Sequence, residues 1–527
     1  MDVATHPHIV IAGVEPWGHA RPLCAFATKV VQTRDVHVTL FTLPRILDRV
    51  KNEVARGFTA ESLNRQNLIR IVALDNCAEN LPSSASVAER LKAESRVFTG
   101  SFMSAYQLLL SGGSLTCFAT KTEFCEVSSP TMLVVDLLNG HLAVLASQLA
   151  HNTATIYRFC SSMASSVLVS LSTCDFGGRS DCKERTHEIA QRTGQSIEEA
   201  AAELSQTFTD NIIKLPGLPA LHHYELNPQD IRVRVCLALL VSCLTGPIQK
   251  SMMKGFMGMI WYTLTDSYAA CDGGLIVTSP DVYEPAAIAA LKASFAETKR
   301  NVWTLGPLTL SGGTHEAVNG EMAQADQAIE IKRFMDDVLH KYGEQSLVYI
   351  SFGSMFWVPD FTKLDEFLIA GQILNHGSPF AQLPDMFKTK VVQSGLGLLS
   401  KWTPQQTVLI HPALGWFVTH CGHNSVLEAV SSGVPMICWP FTADQPLNAL
   451  LLTNVHSVAY ELVEVRTGPD GEKPLHRTGK APIGTPEALR AEVHDEMIMI
   501  AKGWDVGGNA RVEMDKMLDG MRVGSKL

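Results

Sequence analysis

Short apolar runs alternate with segments of helical spacing along most of the chain. Such runs lie at residues 8–14, 36–43 and 131–136, and the second half repeats them at 347–352 and 415–419. Runs without polar alternation, bounded by Gly, Pro or polar residues, are typical of strands buried in parallel sheets. The intervening segments carry apolar residues about every three to four positions, as helices that cover a sheet do. The pattern therefore predicts an α/β protein with doubly wound parallel sheets.

The chain is long enough for two domains. At 527 residues it exceeds the size at which one hydrophobic core usually stops growing. Between the two sets of apolar runs, the composition changes to Gly, Thr, Asn and Glu, as in linkers. We expect a first domain over 1–310, a linker over 311–325, a second domain over 326–500 and a C-terminal segment over 501–527.

Composition and charge exclude several classes of partner. The chain is 46% hydrophobic and 18% charged, which is typical of globular proteins. Its net charge of −10 predicts no nucleic-acid or anionic-membrane partner, because no basic patch would provide the attraction. The twelve cysteines are scattered without metal-ligand spacing. We therefore expect reduced thiols, no metal site and a cytoplasmic location.

Neither the N-terminal apolar run nor the run at 235–244 predicts a membrane segment. The N-terminal apolar run lacks a basic region before it, so we interpret it as a strand and not as a signal peptide. The apolar run at 235–244 is too short to span a bilayer. We expect no stable membrane anchor, and a monomer.

Residues 415–432 have the pattern of a strand, a turn and a helix, which suits phosphate binding. The apolar run 415–419 leads to His420 and then to Asn424 and Ser425. The first N–H groups of a helix lack intrahelical partners, and the helix dipole favours an anion there. Asn424 and Ser425 are good capping residues that can also donate to phosphate oxygens. This turn alone is equally consistent with an ordinary strand–turn–helix unit.

The longer stretch from 399 to 448 closely resembles the signature of the UDP-sugar-dependent family 1 glycosyltransferases. The elements W-x-P-Q, H-P, F-V-T-H-C-G-x-N-S, E, G-V-P, W-P, D/E-Q and N occur in the family's order and spacing. They are Trp402, Pro404, Gln405, His411, Pro412, 417–422, Asn424, Ser425, Glu428, 433–435, Trp439, Pro440, Asp444, Gln445 and Asn448. One departure is His423, where plant members carry Trp and fungal-type members are similar to this chain.

The resemblance implies a hexosyltransferase with the GT-B fold, in which two Rossmann-like domains face each other across a cleft. The first domain would bind a small lipophilic acceptor, and the second the UDP-sugar. The last helix, within 501–527, would pack back on the first domain. Because the UDP-sugar is the donor substrate, neither a separate cofactor nor a metal is implied.

His19 and Asp136 are the candidate catalytic pair. Each follows or ends an apolar strand of the first domain, at the edge where ligands bind in open α/β folds. A histidine pKa of about 6.5 suits a base at neutral pH, and a carboxylate could bond its other ring nitrogen. From the residues alone, a solvated histidine and a strand-end cap explain them as well. Their positions match the family's catalytic base and its partner, which implies direct displacement with inversion.

The resemblance assigns the nucleoside to three residues of the second domain. Trp402 offers a face on which uracil can stack. Gln405 would contact the nucleoside, and Glu428 would accept both ribose hydroxyls. Without the motif, Trp402 would be interpreted as a core residue and Glu428 as a solvated carboxylate.

The diphosphate and the sugar would meet the remaining donor-site residues. Four converge on the diphosphate by resemblance: Ser354, His420, Asn424 and Ser425. Asp444 and Gln445 would take hydroxyls of the transferred sugar, although both also suit a helix N-terminus. Gln445 is similar to members that favour glucose.

One segment departs from the family pattern. After a predicted helix over 363–375, the family has a further core strand before the position of Trp402. Here 379–381 is all that remains of it, which is too short for a central strand. Either a neighbouring segment replaces this strand, or the second sheet lacks it and turnover is impaired.

Two other functions stay open from the sequence. A protein that binds a UDP-sugar with impaired turnover would follow from the missing strand. A nucleotide-sugar epimerase shares the two-domain architecture, although the signature resembles the transferases more closely. The acceptor itself is not specified, because an apolar cleft suits phenolics, sterols, terpenoids and lipids equally.

Overall fold

The computed structural model describes most of the chain in thirteen segments. They are residues 6–13, 16–77, 87–205, 207–230, 258–308, 321–322, 327–354, 358, 360–365, 372–375, 383–395, 397–504 and 508–524.

The first sheet has seven parallel strands. They are β1 (His8–Ala12), β2 (His37–Thr42), β3 (Ile69–Ala73), β4 (Met132–Asp136), β5 (Thr155–Cys160), β6 (Gly274–Val277) and β7 (Asn301–Thr304). Their order is β7-β6-β5-β4-β1-β2-β3. Strands such as β1 are buried along their whole length because helices cover both faces, and this explains their continuous apolar pattern.

The second sheet has six parallel strands. They are β8 (Leu347–Ser351), β9 (Gln372–Asn375), β10 (Gly397–Ser400), β11 (Leu414–Thr419), β12 (Met436–Cys438) and β13 (Ala459–Glu461). Their order is β10-β9-β8-β11-β12-β13. One core packs on one face around Tyr349 and Phe417, and a second core packs on the other around Ile350 and Val418. The α/β fold with two doubly wound parallel sheets is confirmed.

α-Helices connect and cover the strands. They are α1 (Trp17–Thr33), α2 (Leu47–Arg56), α3 (Val87–Leu110), α4 (Gly140–Ser147), α5 (Ala164–Leu171), α6 (Cys182–Thr193), α7 (Ile197–Leu204), α8 (Leu264–Ala269), α9 (Pro285–Ala296), α10 (Ala328–Tyr342), α11 (Phe361–Asp365), α12 (Asp385–Ser394), α13 (Gln405–Leu409), α14 (His423–Ser431), α15 (Gln445–Leu450), α16 (Gly468–Gly471), α17 (Pro486–Trp504) and α18 (Asn509–Gly524).

Each sheet reverses its strand order at one place. In the first sheet β1 lies between β2 and β4, and in the second β8 lies between β9 and β11. The connections leave such a pair of strands in opposite directions, which opens a crevice beyond their carboxyl ends where ligands bind. A ligand-binding site is therefore expected at the loops after β1 and β4 and at those after β8 and β11.

The predicted gap in the second sheet is filled. The helix predicted over 363–375 is wrong: α11 ends at Asp365, and Gln372–Asn375 forms β9 between β8 and β10. Ile373 and Leu374 point into the two opposite cores of the sheet. A strand here provides hydrogen-bond partners for the backbone N–H and C=O groups of both neighbouring strands. This stabilisation outweighs the helical preference that the local spacing of apolar residues indicates. Residues 379–381 lie outside the described part of the chain.

The two halves share an apolar interface. Met163 and Tyr283 of the first domain belong to the same buried cluster as Leu447 and Met517 of the second. Gly520 of α18, three residues after Met517, lies close to Val282 of the first domain. A Cβ added to Gly520 would be 2.9 Å from the Val282 Cγ1. The last helix thus contacts the first domain, while the domain boundaries themselves stay predictions.

Hydrogen bonds from backbone N–H groups add a second connection between the halves. Thr467 N donates to Pro228 O at 3.1 Å, and His476 N donates to the buried Glu225 carboxylate at 2.9 Å. The tract 466–482 therefore connects the second domain to the first, and it contains the short helix α16. The apolar run at 235–244 and most of the predicted linker lie outside the described residues.

No helix in the part of the chain that the structure describes is long and apolar enough to cross a membrane.

The replacement strand can be tested by stability. Ile373→Ala and Leu374→Ala should each destabilise the second domain by about 2–4 kcal/mol, since each removes a buried side chain and leaves a cavity. Urea unfolding followed by circular dichroism measures the change. Met386→Ala on α12, where the side chain is 84% exposed, is the control and should cost less than about 0.5 kcal/mol. If one of the adjacent core substitutions proves neutral, the segment does not alternate between two cores.

Candidate active site

His19 and Asp136 meet at the strand-order reversal of the first sheet. Asp136 is the last residue of β4, and His19 lies in the first turn of α1, which follows β1. His19 Nδ1 is 3.0 Å from Asp136 Oδ2. Asp136 is fully buried, and its other oxygen accepts from Leu138 N at 2.9 Å. The carboxylate is thus held in place by both the ring and the backbone.

This contact decides which ring nitrogen can accept a proton. An ionised carboxylate only accepts hydrogen bonds, so Nδ1 must carry the hydrogen that it donates to Asp136. In the neutral imidazole Nε2 is then the nitrogen with the free lone pair. The His19 side chain is 21% exposed, so that lone pair is within reach of a bound molecule.

Two carboxylates make His19 more basic. Burial lowers its pKa, but the charge and hydrogen bond of Asp136, and then the charge of Asp444, more than offset this. The pKa of His19 is therefore raised above its ordinary value of 6.5. An imidazolium formed at this position is stabilised, as general base catalysis requires.

The missing N–H of Pro22 allows the turn that carries His19 to bond to the second domain. It lies within α1 and has no N–H to donate to the carbonyl of Gly18, four residues earlier. Asn424 Nδ2 donates to that carbonyl instead, at 2.6 Å. The first turn of α1 therefore faces the N-terminus of α14.

The predicted phosphate-binding residues surround the second strand-order reversal. His420 follows β11 and Ser354 follows β8, two strands that pair side by side. The His420 ring packs so closely that a Cβ on Gly353 or Gly422 would lie 2.7 or 2.5 Å from its Nε2. Burial lowers the pKa of His420 to about 4, so the ring is neutral and acts by hydrogen bonding.

The N-terminus of α14 is directed at this place. Its N-cap is Gly422, which has no side chain to satisfy the first-turn N–H groups. Ser425 Oγ in the first turn accepts from Gln405 Nε2 at 3.2 Å. Asn424 and Ser425 thus lie in the first turn of α14, and His420 and Ser354 follow two adjacent strands. All four residues predicted for the diphosphate border the same strand-order reversal.

Glu428 is paired across the cleft and not exposed to it. Its Oε1 accepts from Arg21 Nη1 at 2.6 Å and from Gln406 Nε2 at 3.2 Å, and its Oε2 accepts from Gln405 Nε2 at 2.6 Å. The carboxylate is 5% exposed, and burial raises the pKa of Glu428 although Arg21 lowers it. A ribose could reach this carboxylate by exchanging with the donors it has now.

Trp402 presents one ring face to the first domain. The guanidinium carbon of Arg49 lies 4.0 Å from the Trp402 ring centroid and 3.9 Å from that of Trp17. The planar group is therefore stacked between two indoles. Trp402 is 37% exposed, so it is not a core residue.

Asp444 and Gln445 begin α15 beside the catalytic pair. Asp444 Oδ2 accepts from Ser162 Oγ of the first domain at 3.3 Å, and burial raises the pKa of Asp444 to about 6. The Gln445 Oε1 accepts from Phe441 N at 2.9 Å and from Thr442 N at 3.2 Å. Because the backbone already donates to Oε1, the amide nitrogen Nε2 is the group of Gln445 that could donate to a sugar hydroxyl.

His423, at the position where the signature departs from plant members, is buried. It is 2% exposed, its ring centroid lies 6.0 Å from that of Tyr283, and burial lowers its pKa to about 4. A neutral ring therefore packs against the first domain at this position.

Sequence reasoning missed the basic residues of the first domain. Arg21, Arg49 and Arg56 reach Glu428, Trp402 and Gln406 of the second domain. The one signal was Arg21, a charge directly before the apolar run 22–27 and two residues after His19.

Among the residues the structure describes, no three His, Cys, Asp or Glu side chains are grouped as metal ligands.

Comparison with known proteins shows which family the chain resembles. Residues 292–467 match the family described as UDP-glucoronosyl and UDP-glucosyl transferase. UDP-glycosyltransferase eriJ of Hericium erinaceus is 31% identical over 344 residues, which are 59% of this chain and 62% of that protein. UDP-glycosyltransferase 76D1 of Arabidopsis thaliana is 34% identical over 208 residues, 37% of this chain and 43% of that protein. The matches thus span less than two thirds of these relatives.

Solved structures share the fold over nearly the whole chain. Phytolacca americana UGT2, complexed with UDP-2fluoro-glucose and pterostilbene, has a TM-score of 0.58 at 19% identity and covers 99% of both chains. Medicago truncatula UGT71G1, complexed with UDP-glucose, has a TM-score of 0.56 at 19% identity over 98% of both. Likeness at this identity shows the GT-B architecture. The family match over residues 292–467 and the curated relatives make the chain similar to the family 1 UDP-glycosyltransferases.

Proposed function

We propose that the protein transfers a sugar from a UDP-sugar to a hydroxyl of a small lipophilic acceptor, with inversion at the anomeric carbon. The observation that carries this proposal is the His19–Asp136 pair at 3.0 Å, placed opposite the N-terminus of α14. A base and an anion-binding helix terminus are the two groups that displacement of a diphosphate by a hydroxyl requires.

The proposed reaction takes place in one displacement. His19 Nε2 accepts the proton of the acceptor hydroxyl as its oxygen attacks the anomeric carbon, and Asp136 stabilises the imidazolium that forms. UDP departs on the opposite face, and the N–H groups of α14, with Asn424 and Ser425, offset the developing charge. An α-linked donor would yield a β-glycoside.

The donor assignment is supported by the chemistry of the second domain and by the relatives. Trp402 offers an aromatic face to uracil and Glu428 a carboxylate to the ribose, while His420 and Ser354 lie at the proposed diphosphate site. The strand-order reversal of the second sheet is where α/β proteins bind nucleotides. We propose that no metal and no cofactor besides the donor takes part, since the helix terminus can bind the diphosphate.

The acceptor class is inferred from relatives and from the first domain. Relatives include UDP-glucose flavonoid 3-O-glucosyltransferase 7 of Fragaria ananassa, and the Phytolacca structure contains pterostilbene. We propose an aglycone of similar size and apolarity, and a monomeric protein acting in the cytoplasm. The alternative of impaired turnover assumed a missing inner strand, and the presence of β9 in the sheet therefore supports the proposal of an active enzyme.

Turnover can be measured directly. The wild-type protein, incubated with UDP-glucose and a mixed aglycone panel, should form a glycoside detectable by mass spectrometry, with or without EDTA. His19→Ala should reduce turnover by roughly 10²–10⁴, the usual contribution of a general base, with UDP affinity changed at most a few-fold.

Two results with the wild-type protein would contradict the proposal. Formation of free isomerised UDP-sugar without acceptor would indicate an epimerase instead, and loss of activity in EDTA would contradict metal independence.

The pH dependence tests the role of Asp136. Only neutral His19 accepts a proton, so the wild-type kcat/KM should rise with pH through a pKa above 6.5. Asp136→Asn removes a charge that raises this pKa, so the rise should move to lower pH while the maximal rate falls. Ser161→Ala is the control, because Ser161 Oγ is uncharged and lies 3.5 Å from His19 Nδ1. An unmoved pH profile in Asp136→Asn would exclude the pairing.

The sugar preference tests Gln445. Inverting one hydroxyl of glucose would leave the buried Gln445 Nε2 unpaired, at a cost of about 1–3 kcal/mol. We expect UDP-glucose to exceed UDP-galactose by at least roughly tenfold in kcat/KM, and Gln445→Ala to narrow the gap. Competition between both donors at one acceptor measures the ratio. Equal values in the wild type would remove Gln445 as the discriminating residue.

A further inference from the structure

The proposed diphosphate site has no cation of its own. From 402 to 465 the chain contains neither Lys nor Arg, although this stretch carries Trp402, His420, Asn424, Ser425 and Glu428. His420 is neutral, because burial lowers its pKa to about 4. A nucleoside diphosphate carries several negative charges, and the protein as a whole has a net charge of −10. Any full positive charge at the diphosphate must therefore come from another part of the chain.

Arg21 is a cation that the fold brings next to the N-terminus of α14. It lies in the same turn of α1 as Gly18, whose carbonyl accepts from Asn424 at the N-terminus of α14. Its Nη1 reaches Glu428, which is one helical turn beyond Asn424. The guanidinium thus lies between the proposed base and the proposed nucleotide site.

One nitrogen of Arg21 is left over. Its Nε donates to Glu53 at 3.0 Å and its Nη1 to Glu428 at 2.6 Å. Its Nη2 is buried and has no hydrogen-bond partner among the described residues. A buried charged donor without an acceptor is costly, so a bound anion at this place would be stabilised.

Ribose binding would release Arg21 from Glu428. The oxygen Oε1 that accepts from Arg21 belongs to the carboxylate proposed to accept the ribose hydroxyls. Once hydroxyls donate to it, the guanidinium must find another acceptor within reach of α1, and Glu53 already accepts from both Arg21 and Arg56. The diphosphate at the α14 terminus is an acceptor of the required charge.

We propose that Arg21 is a donor-binding residue that exchanges Glu428 for the diphosphate when a UDP-sugar binds. This inference rests on the proposed function and adds a diphosphate contact from the first domain, in the same turn as the catalytic base. Domain closure over the donor and charge compensation of the leaving group would then depend on one side chain.

The test compares UDP with uridine, which lacks the phosphates. Isothermal titration calorimetry measures both affinities for the wild-type protein and for Arg21→Gln, Arg21→Lys and Arg65→Gln, well above neutral pH so that Glu428 stays ionised. Arg65 is the matched control, because it pairs with Asp35 at 2.6 Å near the other end of α1.

The two ligands should respond differently. Arg21→Gln should weaken UDP binding by about tenfold or more, as loss of a charge-assisted hydrogen bond does, while uridine binds as well as before or more tightly. Arg21→Lys should retain part of the preference for UDP, because a point charge replaces the planar fork. Arg65→Gln should leave both affinities unchanged.

Other results would overturn the inference. An unchanged ratio of the two affinities in Arg21→Gln would show that Arg21 does not contact the phosphates. If Arg21→Gln increased the affinities for UDP and uridine equally, the bond from Arg21 to Glu428 would only compete with the ribose. Failure of the wild-type protein to bind UDP would overturn the proposed function as well, whereas wild-type binding with an unchanged ratio rejects Arg21 alone.

Discussion

The hydrogen bond from Asn424 to the carbonyl of Gly18 sets the geometry of the whole site. It exists because Pro22 cannot donate to that carbonyl, which every other residue at this position of α1 would do. The bond joins the first turn of α1, which carries His19, to the first turn of α14, where we propose that the diphosphate binds. His19, the proposed base, and the proposed leaving-group site therefore lie within one side-chain length of each other.

Buried charges hold the same two helices together from the side. Glu53 and Glu428 are 3% and 5% exposed, and Arg21 bonds to both. Two carboxylates removed from water at such depth need cations, and Arg56 supplies the second one to Glu53. Because the members of this network come from both domains, its bonds can be exchanged for those of a ligand only if the domains or the side chains move. The site is thus compact, and its polar groups are mostly satisfied by one another.

Strand order explains why the site forms where it does. Both sheets reverse at a neighbouring pair of strands, β1 and β4 in one and β8 and β11 in the other. Each crevice is bordered by the N-terminus of a helix, α1 in one case and α14 in the other. The arrangement places a base on one side and an anion-binding terminus on the other, and it requires that neither sheet lose an inner strand. Recruitment of Gln372–Asn375 as β9 preserves that condition despite the shortened segment that follows.

The sequence by itself determined the class of the fold, the strands with the longest apolar runs and the signature residues. Fully buried strands need continuous apolar runs, and phosphate-binding turns need particular residues at fixed spacing, so both are legible along the chain. The structure alone decided that residues 372–375 form a strand, because this depends on the two neighbouring strands that need a partner and not on local spacing. It also decided that Arg21 meets Glu428, since 407 positions separate them and no periodicity connects two domains. Pairing of charges across a cleft is a property of how helices are placed in space, and a linear pattern does not contain it.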